Sequence, residues 1–297
     1  MCKRSITVSL ALTLLTGAML GNACAATPSV AVAAQYDTSH VYVAPADVER
    51  FSQSFLATFG GKSTPQVVVN VLPVPSSTTS QLLQTPVGTV SLFGFTTPIP
   101  HPFGQERNGY LVNDMDVALK AARDNGAAVI VSDFPDPIGR DAVVQWPGGV
   151  NMQLYWHTQT PNYAPFQAVP ENRVYLSADR ADAFIKAFLG FSHGKVLADD
   201  QHAPGADVGQ GKTYRRVDLE SPFGRMAVLV TNGQLPYPFG HETTGYQVTD
   251  LPATLGKATS SGATVLVPAF DSKGRRSALV EFPGGYVAEI HQLTAAH

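Results

Sequence analysis

His40 opens the run His40-Val-Tyr-Val. If this run is a strand, His40 and Tyr42, two residues apart, share one face. An imidazole beside a phenol can ligate a metal, take a proton as a general base, or hydrogen-bond within the structure. Arg140 and Arg276 each stand just before a hairpin that ends in Pro-Gly-Gly. They could clamp an anionic group or lie exposed. Other chemistry-bearing motifs break on inspection. His241-Glu-Thr-Thr-Gly has glycine at 245 where a zinc-protease helix needs its second histidine. Gly211-Lys-Thr resembles the end of a phosphate loop, but the required first glycine is Ala206. No Gly-x-Ser-x-Gly nucleophile elbow occurs. Protease, NTPase and α/β-hydrolase chemistry fall away.

The elements that must position these residues come in two copies. Pro100 to Asp114 reads PHPFGQERNGYLVND and Pro236 to Asp250 reads PYPFGHETTGYQVTD, 9 of 15 residues being identical. At the same offset of 136, Gly126-Ala-Ala-Val-Ile-Val matches Gly262-Ala-Thr-Val-Leu-Val, and Pro147-Gly-Gly matches Pro283-Gly-Gly. A long-period repeat fixes architecture before any single element does. In the first copy the spacing predicts a strand at 39–44, then a helix at 47–59 with Val48, Phe51, Phe55 and Phe59 on one face. Strands follow at 66–72, 80–84 and 89–95, the last two flanking the turn Thr85-Pro-Val-Gly. A second such unit opens at Gly109-Tyr-Leu-Val, with Asp114 capping a helix that Gly126 stops. The second copy repeats this order with a strand at 172–177, a helix at 179–191 and a helix capped by Asp250.

The first residues combine Lys3 and Arg4 with an apolar run from Ile6 to Leu20 and small residues at Ala23 and Ala25, the pattern of a secretory signal peptide. The expected organisation is a signal peptide at 1–25, a first domain at 38–157, a linker at 158–170 holding three prolines, and a second domain at 171–293. The apolar run, 15 residues long, falls short of the ~20 needed to span a bilayer. Acylation at Cys24 is disfavoured because Gly21-Asn22-Ala23 matches a lipobox poorly. Cleavage removes both cysteines, and so thiol chemistry. The charged residues, 20 basic and 23 acidic, become 18 and 23, a net charge of −5 that argues against nucleic acid as a partner. The expected location is the periplasm or beyond, with no integral membrane segment after cleavage.

Read together, these motifs resemble the vicinal oxygen chelate superfamily, which includes glyoxalase I, extradiol dioxygenases and bleomycin-resistance proteins. Val112-Asn-Asp-Met-Asp with Gly126-Ala-Ala-Val-Ile-Val, and Val248-Thr-Asp-Leu with Gly262-Ala-Thr-Val-Leu-Val, carry the resemblance, which runs from 38 to 293. It implies an α+β fold of tandem βαβββ modules forming two incomplete mixed β-barrels with helices outside. It also implies metal ligands on the first strand of each unit and on the last strand. Those positions fall on His40, Gln153 and a site near Arg107 in the first copy, and on Arg173, Glu289 and Thr243 in the second. Arginine does not serve as a ligand, and Glu106, adjacent to Arg107, should face away unless the register slips. Neither copy has three ligands, whereas a divalent catalytic site normally has at least three.

The resemblance further places Arg173 opposite Glu289, a pairing suited to a bidentate bond, and Tyr175 where the first copy has Tyr42. The candidate ligand-binding residues are thus Tyr42, Arg140, Arg173, Tyr175 and Arg276, and the candidate metal ligands are His40, Gln153 and Glu289. The favoured function is binding of a small molecule in a barrel pocket without a complete metal site. The alternative is a lyase, isomerase or dioxygenase using Zn, Mn, Fe or Ni, with a missing ligand from Glu106, water or the second chain of a homodimer.

Overall fold

The computed structural model describes residues 29–71, 74–272 and 274–294. The expected signal peptide lies outside them. The chain forms two open mixed sheets. The first holds β1 (Thr38–Val43), β2 (Lys62–Ser63), β3 (Val67–Asn70), β4 (Ser77–Thr85), β5 (Gly88–Phe95), β6 (Asn108–Leu111), β7 (Ala128–Asp136), β8 (Gly139–Trp146) and β9 (Val150–His157). Its order is β2-β4-β5-β1-β6-β9-β8-β7, with β3 also on β4. The second holds β10 (Glu171–Leu176), β11 (Lys195–Ala203), β12 (Tyr214–Ser221), β13 (Gly224–Val230), β14 (Thr244–Gln247), β15 (Thr264–Ser272), β16 (Arg275–Phe282) and β17 (Tyr286–Leu293), in the order β11-β12-β13-β10-β14-β17-β16-β15. In each sheet the opening strands of two units meet antiparallel at the centre, β1 on β6 and β10 on β14. The α+β architecture of incomplete barrels is the one the family resemblance implies.

Among the described residues, the α-helices α1 (Val48–Phe59), α2 (Met115–Asp124), α3 (Ala178–Ser192) and α4 (Leu251–Ser260) lie between the sheets. The caps are local. The Asp114 carboxylate accepts the Val117 N–H at 2.9 Å, and Asp250 accepts that of Ala253 at 2.9 Å, meeting donors that the first turn otherwise leaves open. Gly126 and Gly262, with φ of 89° and 99°, end these helices in a region where only glycine is unstrained.

The helices cross-pack reciprocally: α1 of the first copy against α4 of the second, and α2 against α3. One apolar cluster joins Phe51 and Phe55 to Tyr246, Phe282 and Tyr286. The other joins Tyr110 and Trp146 to Phe184, Phe188 and Phe223. A polar seam repeats the symmetry. Ser39 bonds Thr244 at 2.8 Å and Asn108 donates to Asn172 at 2.9 Å. Ser39 and Asn172 hold matching places in β1 and β10, and Asn108 and Thr244 do so in β6 and β14. The two copies thus meet through a pseudo-two-fold interface, the isologous arrangement of a symmetric dimer within one chain.

Because each cluster draws on both copies, a core deletion in one should weaken both. Phe55 is fully buried, with its ring 5.2 Å from Phe282 and 5.5 Å from Tyr246. Phe55→Ala should cost about 3–5 kcal/mol, read as one destabilised transition in denaturant melts followed by both fluorescence and circular dichroism. A second transition left at its original midpoint would contradict the shared core.

Candidate functional site

The concave face of the first sheet encloses a cavity of about 720 Å³, lined by His40, Tyr42, Phe93, Phe134, Asp141 and Gln153 among others. His40 and Tyr42 point into it from alternate positions of β1. Both reach Glu106: the Tyr42 hydroxyl donates to its Oε1, and His40 Nδ1 lies 3.4 Å from the same oxygen. Burial and the Glu106 charge hold the Tyr42 phenol well above its ordinary pKa. His40 N–H bonds the Arg107 carbonyl, so β1 meets the chain ahead of β6 in a register that turns Glu106, not Arg107, inward. This corrects the expectation that Glu106 faces away.

Gln153, on β9, bonds Asp141 on β8, whose carboxyl burial pushes up to about 8, with nearby Asp136 adding to the rise. Alternation along β8 explains the fate of Arg140. Asp141 points into the cavity, so Arg140 points out, bonding Asp133 and Asp116, each at 2.9 Å. Arg276 is likewise exposed, 4.0 Å from Asp271. Neither arginine lines the cavity, and the anion clamp drawn from them is replaced by surface ion pairs worth little. Asp141 and Asp136 were missed in the sequence, although the two-residue period running from Arg140 was the signal that could have found Asp141.

The second copy has the same scaffold with different contents. Arg173 occupies the place of His40, with Nη2 3.1 Å from Glu289, 3.0 Å from Glu171 and Nη1 3.7 Å from Glu242. The pairing of Arg173 with Glu289 is therefore present, within a larger network. Glu171 also receives Arg216 at 2.8 Å and a two-pronged contact from Arg275 at 3.1 and 3.0 Å. Glu289 takes further bonds from Ser277 and, at 2.7 Å, His291. Tyr175 donates to Glu242 as Tyr42 does to Glu106. An apolar plug of Ala203, Val208, Tyr214, Ala227 and Leu229 fills the remaining space. Tyr175 reaches only a separate cleft of about 330 Å³ beside Phe239 and His241, which neither Arg173 nor Glu289 lines.

Two matched glycines make room for these inward side chains. A Cβ at Gly109 would sit 2.5 Å from His40 Nε2, and one at Gly245 would sit 2.7 Å from Glu289 Oε2 and 3.0 Å from Arg173 Nη2. Close approach, rather than backbone freedom, requires glycine here. A different polar group stands apart from both pockets. Asp37 is buried near Tyr110 and Gly224 with both carboxyl oxygens unpartnered, and burial holds its pKa well above 3.8.

The divalent ion implied by the fold does not suit the donors present. In the second copy Arg173 fills the space and Glu289 is already bonded on both oxygens. In the first, Tyr42 and His40 converge on one Glu106 oxygen, and His40 Nε2 is turned against Gly109. Glu106 Oε2 lacks a partner, but so does Glu242 Oε2 beside Arg173, so the orphaned oxygen does not mark a metal site. Among the described residues no group of three His, Cys, Asp or Glu is placed to hold a metal.

The network in the second copy carries a pH signature. Burial alone would raise the Glu289 pKa, but Arg173 and then His291 outweigh it and hold the carboxyl at about 2 against the usual 4.5. A lower pKa in the folded state means the stabilisation is complete above pH 4.5 and lost as pH falls toward 2. Its size is about 3 kcal/mol. Glu289→Gln should therefore flatten the fall in unfolding free energy between pH 4.5 and 2, measured by denaturant titration at successive pH values. An unchanged slope would remove Glu289 from the acid response.

No protein-family model and no curated protein sequence matches this chain. Solved structures do match. A variant of 4-hydroxymandelate synthase from Streptomyces coelicolor superposes with a TM-score of 0.57 at 12% identity, covering 91% of this chain and 94% of that one. The 2,3-dioxygenase LapB from Pseudomonas sp. KL28 gives 0.51 at 12% identity, covering 86% and 90%. The Mn(II)-bound glyoxalase from Novosphingobium aromaticivorans gives 0.51 at 13% identity, covering 89% and 83%. At such identities the likeness speaks for the fold, and the chain has the two-module fold of the vicinal oxygen chelate superfamily.

Proposed function

We propose that this protein binds an organic small molecule in the cavity of its first copy without a divalent metal, and that the second copy is a sealed structural partner. One observation carries the reading: matched interiors of a single chain differ, one left open behind an aromatic wall and the other closed by arginine–glutamate pairs and an apolar plug. A concave, largely apolar cavity with a few convergent polar groups is the usual form of a small-molecule site. Tyr42, His40, Gln153 and Asp141 are its polar points, while Arg173 and Glu289 neutralise one another away from it. The signal-peptide pattern at 1–25 makes the proposed setting the periplasm or the exterior.

Two measurements test this on untagged protein. After incubation with excess Mn(II), Fe(II), Zn(II) or Ni(II) and dialysis, retained metal should be far below one ion per chain. A stoichiometric ion that disappears in His40→Ala would instead establish a metal-dependent lyase, isomerase or dioxygenase reading. The neutral fluorophore N-phenyl-1-naphthylamine should bind one to one, and Ser80→Trp, which places an indole in the cavity, should weaken it by about tenfold or more, ~1.4 kcal/mol. Binding indifferent to Ser80→Trp would move the site elsewhere.

A further inference from the structure

The two interiors can be compared residue by residue, because the sheet registers match. His40 lies opposite Ser91 on β5, and Arg173 opposite Ala227 on β13, at the common offset of 136 for β5 and β13. By the same registers Arg216 corresponds to Ser80 and Arg275 to Gly139. The three arginines that neutralise the interior of the second copy are thus histidine, serine and glycine in the first. Two acids go with them, Glu171 being matched by Thr38 and Glu289 by Gln153, but other acids line the first interior. Glu242 is matched by Glu106, and where the second copy has Ser277 and Ser272 the first has Asp141 and Asp136, both lining the cavity. No lysine or arginine lines the cavity among the described residues.

A low-dielectric pocket with carboxyl groups and no lysine or arginine is poorly suited to an anion, which finds no fixed cation there to pair with. It is suited to a cation, which a buried carboxylate can pair. The aromatic wall of the same cavity favours the same charge. Tyr42, Phe93 and Phe95 line it, Tyr42 stacked on Phe93 at 5.1 Å and on Phe95 at 6.0 Å, and aromatic rings attract a cation. A planar, delocalised cation meets both demands, since it forks onto a carboxylate and stacks on a ring, as an ammonium does not. The chain itself shows that the scaffold accepts such a group, in the guanidinium of Arg173 between Glu171, Glu242 and Glu289.

We propose that the first-copy cavity selects a ligand with an amidinium or guanidinium head on an aromatic body, the head standing where the second copy keeps its own arginines. This rests on the reading that the cavity binds small molecules. It adds the charge and shape of the ligand.

The test is a series of equal shape and different charge, measured by calorimetric titration at fixed ionic strength: biphenyl-4-carboxamidine, biphenyl-4-carboxamide and biphenyl-4-carboxylate. The amidine should bind about tenfold or more tighter than the carboxamide, and the carboxylate should bind weakest. Asp141→Asn should erase most of the amidine's advantage over the carboxamide, with an unchanged circular dichroism spectrum and melting transition reporting that the variant is folded. Asp136→Asn should act in the same direction. Carboxamide binding with no gain for the amidine, a preference for the carboxylate, or an advantage that survives in the Asp136→Asn, Asp141→Asn double variant would each overturn the charge assignment alone. If none of the three binds, the small-molecule reading of the cavity falls and this inference with it.

Discussion

An open, curved sheet has a convex face that must be covered, and here each copy supplies what the other lacks. The helices α1 and α4 fill one side of the junction and α2 and α3 the other, so that neither copy has a complete apolar core alone. The Ser39–Thr244 and Asn108–Asn172 bonds fix the angle at which the copies meet. Stability is therefore concentrated between the sheets. The concave interiors, on the opposite faces, carry little of this shared apolar packing and were free to diverge.

That separation explains how two interiors built on one repeat came to differ in kind. In the second copy Glu171 is held well below the usual carboxylate range, because three arginines outweigh the burial that would raise it. Buried ion pairs of this sort are costly to break and seldom stabilise more than well-packed apolar side chains would. Their effect here is to close a cavity. In the first copy the corresponding positions hold His40, Ser80 and Gly139, and the space they leave is the cavity.

Much of the fold was legible in the sequence because its signals are local. Asp114 and Asp250 cap, Gly126 and Gly262 stop, and Phe51 and Phe55 repeat at helical spacing, each fixed by neighbours within a few residues. The inward residues of the central strands were legible too, His40 and Tyr42 from alternation along one strand, Arg173 and Gln153 from the positions the family resemblance implies. Glu106 was misplaced because its direction depends on where β1 meets the chain before β6, a long-range register that no local pattern encodes. Arg140 attracted attention through its charge, while Asp141, the next residue, took the inward position. Glu171, Arg216 and Arg275 come from three strands and could not be joined into one network before the sheet order was known.

Asp37 sits near the junction of the two copies with neither oxygen hydrogen-bonded, and burial raises its pKa well above the ordinary aspartate value. Its folded pKa is raised, so the fold gains from its proton below about pH 3.8 and loses that gain as pH rises toward the folded value. Between those two values the closed molecule thus keeps a proton that the open chain gives up. Separation of the two copies is in this respect an acid dissociation as well as a loss of packing, and proton release accompanies each exposure of the seam between them.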